Sequence, residues 1–503
     1  MTTLTKQILL EKKLPEIVIS NSDITLQVSR LAAAGKLIKI APKLYTSNKG
    51  LPIDQIVSRN CWQIVAWLFP GSVISDRTAL ENKPASDGSI CLVSTRQANY
   101  QLPGLMIRPR LGEGPTEEDT KFIGGLFLSC PGRAYLENMR GSRSRDHVRR
   151  TLTRSEVETK LELVLRTSGE QGINNIRDQA KRVAPQLNLL EELESLQKTI
   201  GALLGTHKTI LQSPLGRARQ EGQAYDPNRI QIFTELWTRL KDTTLPPLSE
   251  NKTDGSALPF FEAYFSNFIE GTQFDVEEAK EIIFENKIPK TKPADAHDII
   301  GTFRIVSDTQ EMQQTPKSFE ELETILLRRH AMLLQGRPEM EPGKFKTEPN
   351  KAGSTTFVNP DLVRGTLKQG FDFYQALDDP FSKALFLSFL IAEVHPFTDG
   401  NGRMSRIMLN SELVAAQQQR IIIPTVYRTE YLQSLKAISN QHSIEPFIKV
   451  MKFAQEFTHE VDFSSLDKAQ EILTKTNAFK DPADAMGDGD RLIKPSSIIT
   501  LEP

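Results

Sequence analysis

Two helices and the loop between them constrain this chain more than any other feature. Residues 384–394 (ALFLSFLIAEV) are apolar around nearly the whole helical circumference, the pattern of a buried helix. His395-Pro396 marks its end, because the residue before a proline is driven out of helical geometry. Gly400 and Gly402 keep the next residues in a loop, and from Arg403 the sequence RMSRIMLNSELVAA regains a helical period. The loop therefore feeds a helix N-terminus, where unpaired backbone N–H groups and the helix dipole favour an anion.

The side chains in this loop point to a particular chemistry. Gly400 and Gly402 allow the backbone to approach an anion closely, and Asn401 offers a side-chain donor. Arg403 and Arg406 are three residues apart, so both guanidinium groups can project from one helix face towards one ligand. Asp399 is a hard oxygen donor suited to the Mg2+ that accompanies a nucleotide polyphosphate. His395 is the one group of the segment that titrates near neutral pH, hence the candidate general base. A polyphosphate cradle, one metal ligand and one base describe transfer from a nucleotide to a hydroxyl, with no covalent nucleophile on the protein.

Composition removes other classes. Lys+Arg total 62 and Asp+Glu total 63, a balance that excludes a surface basic throughout. The run 384–392 is far shorter than the roughly 20 residues of a membrane span. The opening segment MTTLTKQILLEKKLPEIVI carries charges where a signal peptide would be apolar. The three cysteines, Cys61, Cys91 and Cys130, lack metal-ligand spacing, so a reducing, cytoplasmic location is expected.

The segment from His395 to Arg406, HPFTDGNGRMSR, resembles the Fic signature HPFx(D/E)GNGRxxR at every fixed position. The resemblance implies transfer of AMP from ATP to a Ser, Thr or Tyr hydroxyl of a target protein, the chain itself being one candidate, with release of pyrophosphate. His395 would take the hydroxyl proton and Asp399 would hold Mg2+. Nucleotide-binding residues would be Asp399, Gly400, Asn401, Gly402, Arg403, Met404, Ser405 and Arg406, with Arg403 at the β-phosphate and Arg406 at the γ-phosphate. A related phosphorylating branch carries Lys where Gly402 stands. Upstream, Ser266-Asn267-Phe268-Ile269-Glu270-Gly271 resembles the inhibitory motif (S/T)xxxE(G/N) of the same family. It implies an ion pair between Glu270 and Arg406 that fills the γ-phosphate site, with Ser266 on the same helix face. PGKFKTEPNKAGS falls where relatives carry a β-hairpin flap, although Pro349, Asn350 and Lys351 are poor strand residues. Tyr431 falls where relatives often place a ring near adenine, and Ser439 where they often have Asn.

The N-terminal half reads differently. Ser22 and Asp23 are expected to cap a helix carrying Ile24, Val28 and Leu31, preceded by a first helix over Thr5 to Leu14 and followed by a two-stranded ribbon turning at Pro42. Ile90–Val93 and Leu105–Ile107 are predicted strands, and 127–205 is mostly helical, with an arginine-dense stretch at 140–154. LAAAGKLIKIAPKLYT and LSCPGRAYLENMRG resemble AbiEi-type antitoxins and transcriptional regulators. That resemblance implies DNA near Gln27, Arg30, Lys36, Lys39 and Lys43.

The expected fold class is mostly α: an α-helical Fic core with a short β-hairpin flap, preceded by a winged helix-turn-helix and a small α/β-mixed domain. The boundaries are 1–60 for the winged helix, 61–200 for the mixed domain, 205–475 for the Fic domain and 476–503 for a C-terminal tail, expected to pack loosely from Asp481. Within the Fic domain the inhibitory helix spans 260–272 and the catalytic loop 395–406. ATP is the expected substrate, Mg2+ the cofactor and a hydroxyl-bearing protein the partner, with no membrane. DNA binding and a homodimer are kept open. So are a DNA-binding regulator whose site modifies itself, a toxin–antitoxin component acting by binding, and a transferase using UTP or a phosphocholine carrier.

Overall fold

The computed structural model describes residues 14–143, 148–243, 246–249, 255, 257–353 and 355–499. It divides into two compact units, Met1–Glu221 and Gly222–Pro503. The described chain is mostly helical, with its β-structure concentrated in the first unit.

The first unit opens with β1 (Ile17–Ile19), the helix Thr25–Ala33, β2 (Ile38–Ala41) and β3 (Leu44–Thr46). The expected two-stranded ribbon is a three-stranded antiparallel sheet in the order β1-β3-β2, because the β-branched run Ile17-Val18-Ile19 pairs with Thr46, Tyr45 and Leu44. The turn is made at Pro42 and Lys43, as expected, with Lys43 at φ 64°. Ser22 and Asp23 do not cap the helix; the Asn21 carboxamide oxygen accepts from the backbone N–H groups of Asp23 and Ile24 instead. The expected first helix lies, apart from Leu14, outside the described residues. Gln27, Arg30, Lys36, Lys39 and Lys43 are all exposed.

A six-stranded mixed sheet follows, built from β4 (Val73–Ile74), β5 (Ser89–Val93), β6 (Tyr100–Leu102), β7 (Leu105–Arg110), β8 (Thr120–Lys121) and β9 (Phe127–Leu128). Its order is β6-β7-β5-β4-β9-β8, with β5 parallel to β7 in the register Ser89↔Met106 to Val93↔Arg110. The helices Pro131–Met139, Arg154–Leu187 and Leu190–Leu203 enclose a core that includes Leu136, Leu161, Ile173, Val183 and Leu196. Much of the arginine-dense stretch is neutralised locally: Arg140 pairs with Glu192, Arg150 with Asp76 and Arg154 with Glu158. These three are structural cations rather than a free phosphate-binding patch; Arg145 lies outside the described residues.

Among the described residues the second unit is mostly helical, with one short hairpin and an isolated bridge between Ser249 and Gln418. At its centre the helices Pro380–Val394 and Asn401–Ala415 pack on each other. The first is buried on nearly every side, as its apolar sequence requires, and is started by Asp379, whose carboxylate accepts from Ser382 N–H at 2.7 Å. The helices Ala257–Ile269, Pro293–Ser307 and Phe319–Leu333 lie around this pair. The hairpin joins β10 (Lys351–Ala352) to β11 (Thr355–Thr356) in antiparallel register. The tail is anchored rather than loose: Lys494 Nζ reaches Glu456 at 2.6 Å and Ser496 Oγ reaches Glu460 at 2.7 Å.

Candidate active site

The loop between the two central helices is fastened by its own side chains. His395 stands just past the end of the first helix with φ 53°, and Gly400 precedes the second with φ 77°. At Gly400 the positive φ favours a residue without Cβ. Asn401 is buried, its oxygen accepting from Phe397 N–H and its nitrogen donating to Phe397 O, both at 2.8 Å. Its oxygen and one N–H of its amide thus hold the loop together. Asn350, beside β10, donates to the same Phe397 oxygen at 2.9 Å. His330 stacks on Phe397 with ring centroids 3.8 Å apart. Its Nδ1 accepts from Gly343 N–H at 2.9 Å, so Nε2 carries the proton and donates to Asp399 O at 3.1 Å. Burial pushes the His330 pKa down to about 4, so it is a neutral brace.

Three backbone N–H groups begin the second helix, those of Asn401, Gly402 and Arg403. The Met404 N–H already donates to Gly400 O at 2.9 Å. The Met404 side chain lies in the core, and Ser405 Oγ bonds Ser388 O at 2.9 Å. Both side chains therefore face the protein interior. Gly402 is tightly approached: a Cβ there would sit 2.2 Å from Glu270 Oε1. The Glu270 carboxylate therefore lies against the helix start.

The two arginines have different neighbours. Arg406 donates to Glu270 Oε1 at 2.7 Å, to Ser266 Oγ at 2.9 Å and to Ser266 O at 2.7 Å, and it also donates to the Tyr431 hydroxyl. Burial acts to raise the Glu270 pKa, but the facing Arg406 outweighs it and holds the carboxylate ionised. Arg403 pairs with Asp298 and donates to Asn267 Oδ1 at 3.3 Å. Asp399 accepts from Arg337 at 2.7 Å and from Gly400 N–H at 2.6 Å. Its side chain is 38% exposed. Burial would raise its pKa, but Arg403, the Gly400 N–H and Arg337 together hold it low. Among the described residues no group of three or more His, Cys, Asp or Glu is placed to hold a metal by itself. One ionised carboxylate fits Mg2+, whose other ligands are typically phosphate oxygens and water.

His395 completes the site. Its Nδ1 faces Ala392 O at 3.2 Å, a partner that can only accept, so Nδ1 carries the proton and Nε2 keeps a lone pair. Phe357, just after β11, stacks on the ring at 3.6 Å with planes 4° apart. Burial lowers the His395 pKa to about 4, leaving it neutral and basic at physiological pH.

Residues 320–413, which include the loop and both arginines, match the Fic/DOC family. The chain carries a Fic domain. Protein adenylyltransferase fic-1 of Caenorhabditis elegans is 31% identical over 128 residues, covering 25% of this chain and 25% of that protein. Protein adenylyltransferase Fic of Drosophila persimilis is 27% identical over 248 residues, covering 46% and 47%. The chain thus spans less than half the length of these curated relatives. A solved structure of C. elegans Fic-1, residues 134–508, is 18% identical, with a TM-score of 0.35, and covers 64% of this chain and 93% of that one.

Within the second unit the structure brings together His395, Asp399, Gly400, Gly402, Arg403, Arg406, Ser266 and Glu270. It sets Tyr431 apart: its ring is 1% exposed, with no open face for a base, and its hydroxyl braces Arg406. Ser439 Oγ bonds Glu393 at 2.5 Å. Sequence reasoning gave no role in the site to Asn267, Asp298, Arg337, Asn350 or Phe357, although Asn267 lies inside the inhibitory motif and Asn350 inside the segment read as the flap. His330 is the packing histidine its sequence setting suggests.

Gly402→Ala is expected to weaken ADP binding at least tenfold, about 1.4 kcal/mol, by calorimetry. The new methyl would occupy the space that Glu270 Oε1 now fills, and the atom it meets is the end of a flexible side chain, so folding should survive. Unchanged ADP affinity would show that the helix start is not the phosphate seat.

Proposed function

We propose that this chain is a protein adenylyltransferase that transfers AMP from ATP to a Ser, Thr or Tyr hydroxyl of a protein and is held inactive by Glu270. The observation that carries the reading is the position of the Glu270 carboxylate: it is ion-paired to Arg406 and lies beside Gly402 in the first turn of the second helix. A seat that holds a carboxylate ion-paired to arginine at a helix N-terminus is suited to a phosphate.

In the proposed reaction the target hydroxyl oxygen attacks the α-phosphorus, and the bond from phosphorus to the bridging oxygen of the β-phosphate breaks. Pyrophosphate leaves with that electron pair, and the hydroxyl proton passes to His395 Nε2. His395 is suited to this role because its Nδ1 proton is committed to Ala392 O. Arg406 and the first N–H groups of the second helix would stabilise charge on the polyphosphate, and Asp399 would hold Mg2+, which supplies further charge neutralisation. The site thus works by positioning and electrostatics.

The test uses two labels. With the Glu270→Gly variant, label should enter protein from ATP carrying it on the α-phosphate and not from ATP carrying it on the γ-phosphate. Transfer of the γ-label would replace the reading with phosphorylation, and equal use of α-labelled UTP would assign a different donor.

A further inference from the structure

Four side chains at the loop form a closed ring of alternating charge. Arg403 pairs with Asp298; Asp298 Oδ2 accepts from Arg337 at 3.0 Å; Arg337 donates to Asp399 Oδ2 at 2.7 Å; and Asp399 Oδ1 lies 3.6 Å from Arg403 Nη2. Two members, Arg403 and Asp399, belong to the loop motif. The other two come from elsewhere: Asp298 from the helix Pro293–Ser307, and Arg337 from the segment after Phe319–Leu333. The ring faces the side of Asp399 that a metal would need, because Oδ1 already accepts from Gly400 N–H and Oδ2 is the oxygen given to Arg337. A cation and a guanidinium cannot share that oxygen without repulsion.

The ring also contains a second place for Arg337. Asp298 is 2% exposed, yet it takes both arginines on Oδ2, and its Oδ1 has no hydrogen-bond partner among the described residues. A buried carboxylate oxygen left unpaired is costly. A guanidinium that released Asp399 could satisfy it by moving from one-oxygen to two-oxygen contact with Asp298. Glu339, 3.5 Å from Arg337 Nε, offers additional negative charge on the same side.

We propose that Arg337 is a positioning residue that withholds Asp399 from the divalent cation, and that it shifts fully onto Asp298 when a nucleotide brings the cation in. The proposal rests on the reading of Asp399 as the metal's protein ligand. It makes the ring a second check on the site, separate from Glu270, whose contacts are with Arg406 and Gly402.

The experiment titrates the full chain into Mn2+·ADP and follows the enhancement of water-proton relaxation as the ternary complex forms. Arg337→Gln should lower the dissociation constant of that complex about five- to tenfold, the scale of one partly exposed ion pair. Arg337→Lys, which keeps the charge, should stay close to wild type, whereas loss of a merely structural arginine would weaken binding in both. Circular dichroism melts establish that each variant is folded. Arg337→Gln binding equal to or weaker than wild type would overturn the proposal. Asp399→Asn separates the two layers. A complex that needs Asp399 but ignores Arg337 removes the ring alone. A complex that survives Asp399→Asn removes the metal reading and the ring with it.

Discussion

Replacing Glu270 with glycine is expected to raise incorporation of α-labelled AMP about thirtyfold, the effect of roughly 2 kcal/mol for a charge-assisted contact. The structure gives two reasons. Glu270 Oε1 neutralises Arg406 at 2.7 Å, and it lies where a Cβ on Gly402 would stand 2.2 Å away. One carboxylate therefore neutralises the arginine and fills the space beside the helix start that the proposed reading gives to a phosphate. Removing it leaves Arg406 in place, because the guanidinium keeps Ser266 Oγ, Ser266 O and the Tyr431 hydroxyl. The Glu270 side chain is 35% exposed, so solvent screens the pair and its loss should move the melting temperature little. Glu270→Gln separates the two effects: it removes the charge and keeps the bulk, so its rate should fall between wild type and glycine. Equal labelling of wild type and Glu270→Gly would leave the inhibitory reading without support.

The loop was readable because its residue types are locally committed. A proline after a histidine, two glycines and a helix that restarts on arginine admit few backbones, and the expected cradle follows from helix-end chemistry. The pairing of Glu270 with Arg406 was accessible only through resemblance. No spacing rule joins residues 136 positions apart, and the observed contact depends on how the helix Ala257–Ile269 packs beside Asn401–Ala415. Asn401 shows a local contact that sequence did not reveal. Its carboxamide looked free in sequence, but a buried amide seeks partners, and the nearest were the N–H and C=O of Phe397.

Other misreadings have the same physical origin. Ser22 and Asp23 have capping chemistry, but Asn21 reaches the N–H groups first because the helix begins later. The tail is rich in small and acidic residues, yet Lys494 and Ser496 attach it to Glu456 and Glu460, contacts invisible in its own composition. Arg337 and Asp298 stand in unremarkable segments and acquire meaning from one shared oxygen and one empty one. Local backbone chemistry was thus legible, whereas long-range ion pairing was not.

His395→Ala is expected to reduce AMP transfer in the Glu270→Gly background by about 10²- to 10⁴-fold, the usual contribution of a positioned general base. Alanine alone leaves an ambiguity, because the residue has φ 53° and alanine is strained there by roughly 1–2 kcal/mol. His395→Asn resolves it, since asparagine tolerates that backbone and cannot act as a base near neutral pH. Both variants should lose transfer, and the asparagine variant should melt close to its parent. The pH dependence gives an independent signature. Burial lowers the folded pKa to about 4, below the ordinary value of about 6.5 in the unfolded chain. The unfolded state therefore binds more protons between these values, so the stability contribution of neutral His395 is complete above about 6.5 and is lost as pH falls towards 4. The base form likewise persists, and kcat/KM should stay level from pH 8 to about 5 before falling. An acid limb centred near 6.5 would place the base in a more solvated setting than the one Phe357 and Ala392 define. Transfer that survives both substitutions would remove His395 as the base and leave catalysis to the phosphate cradle alone.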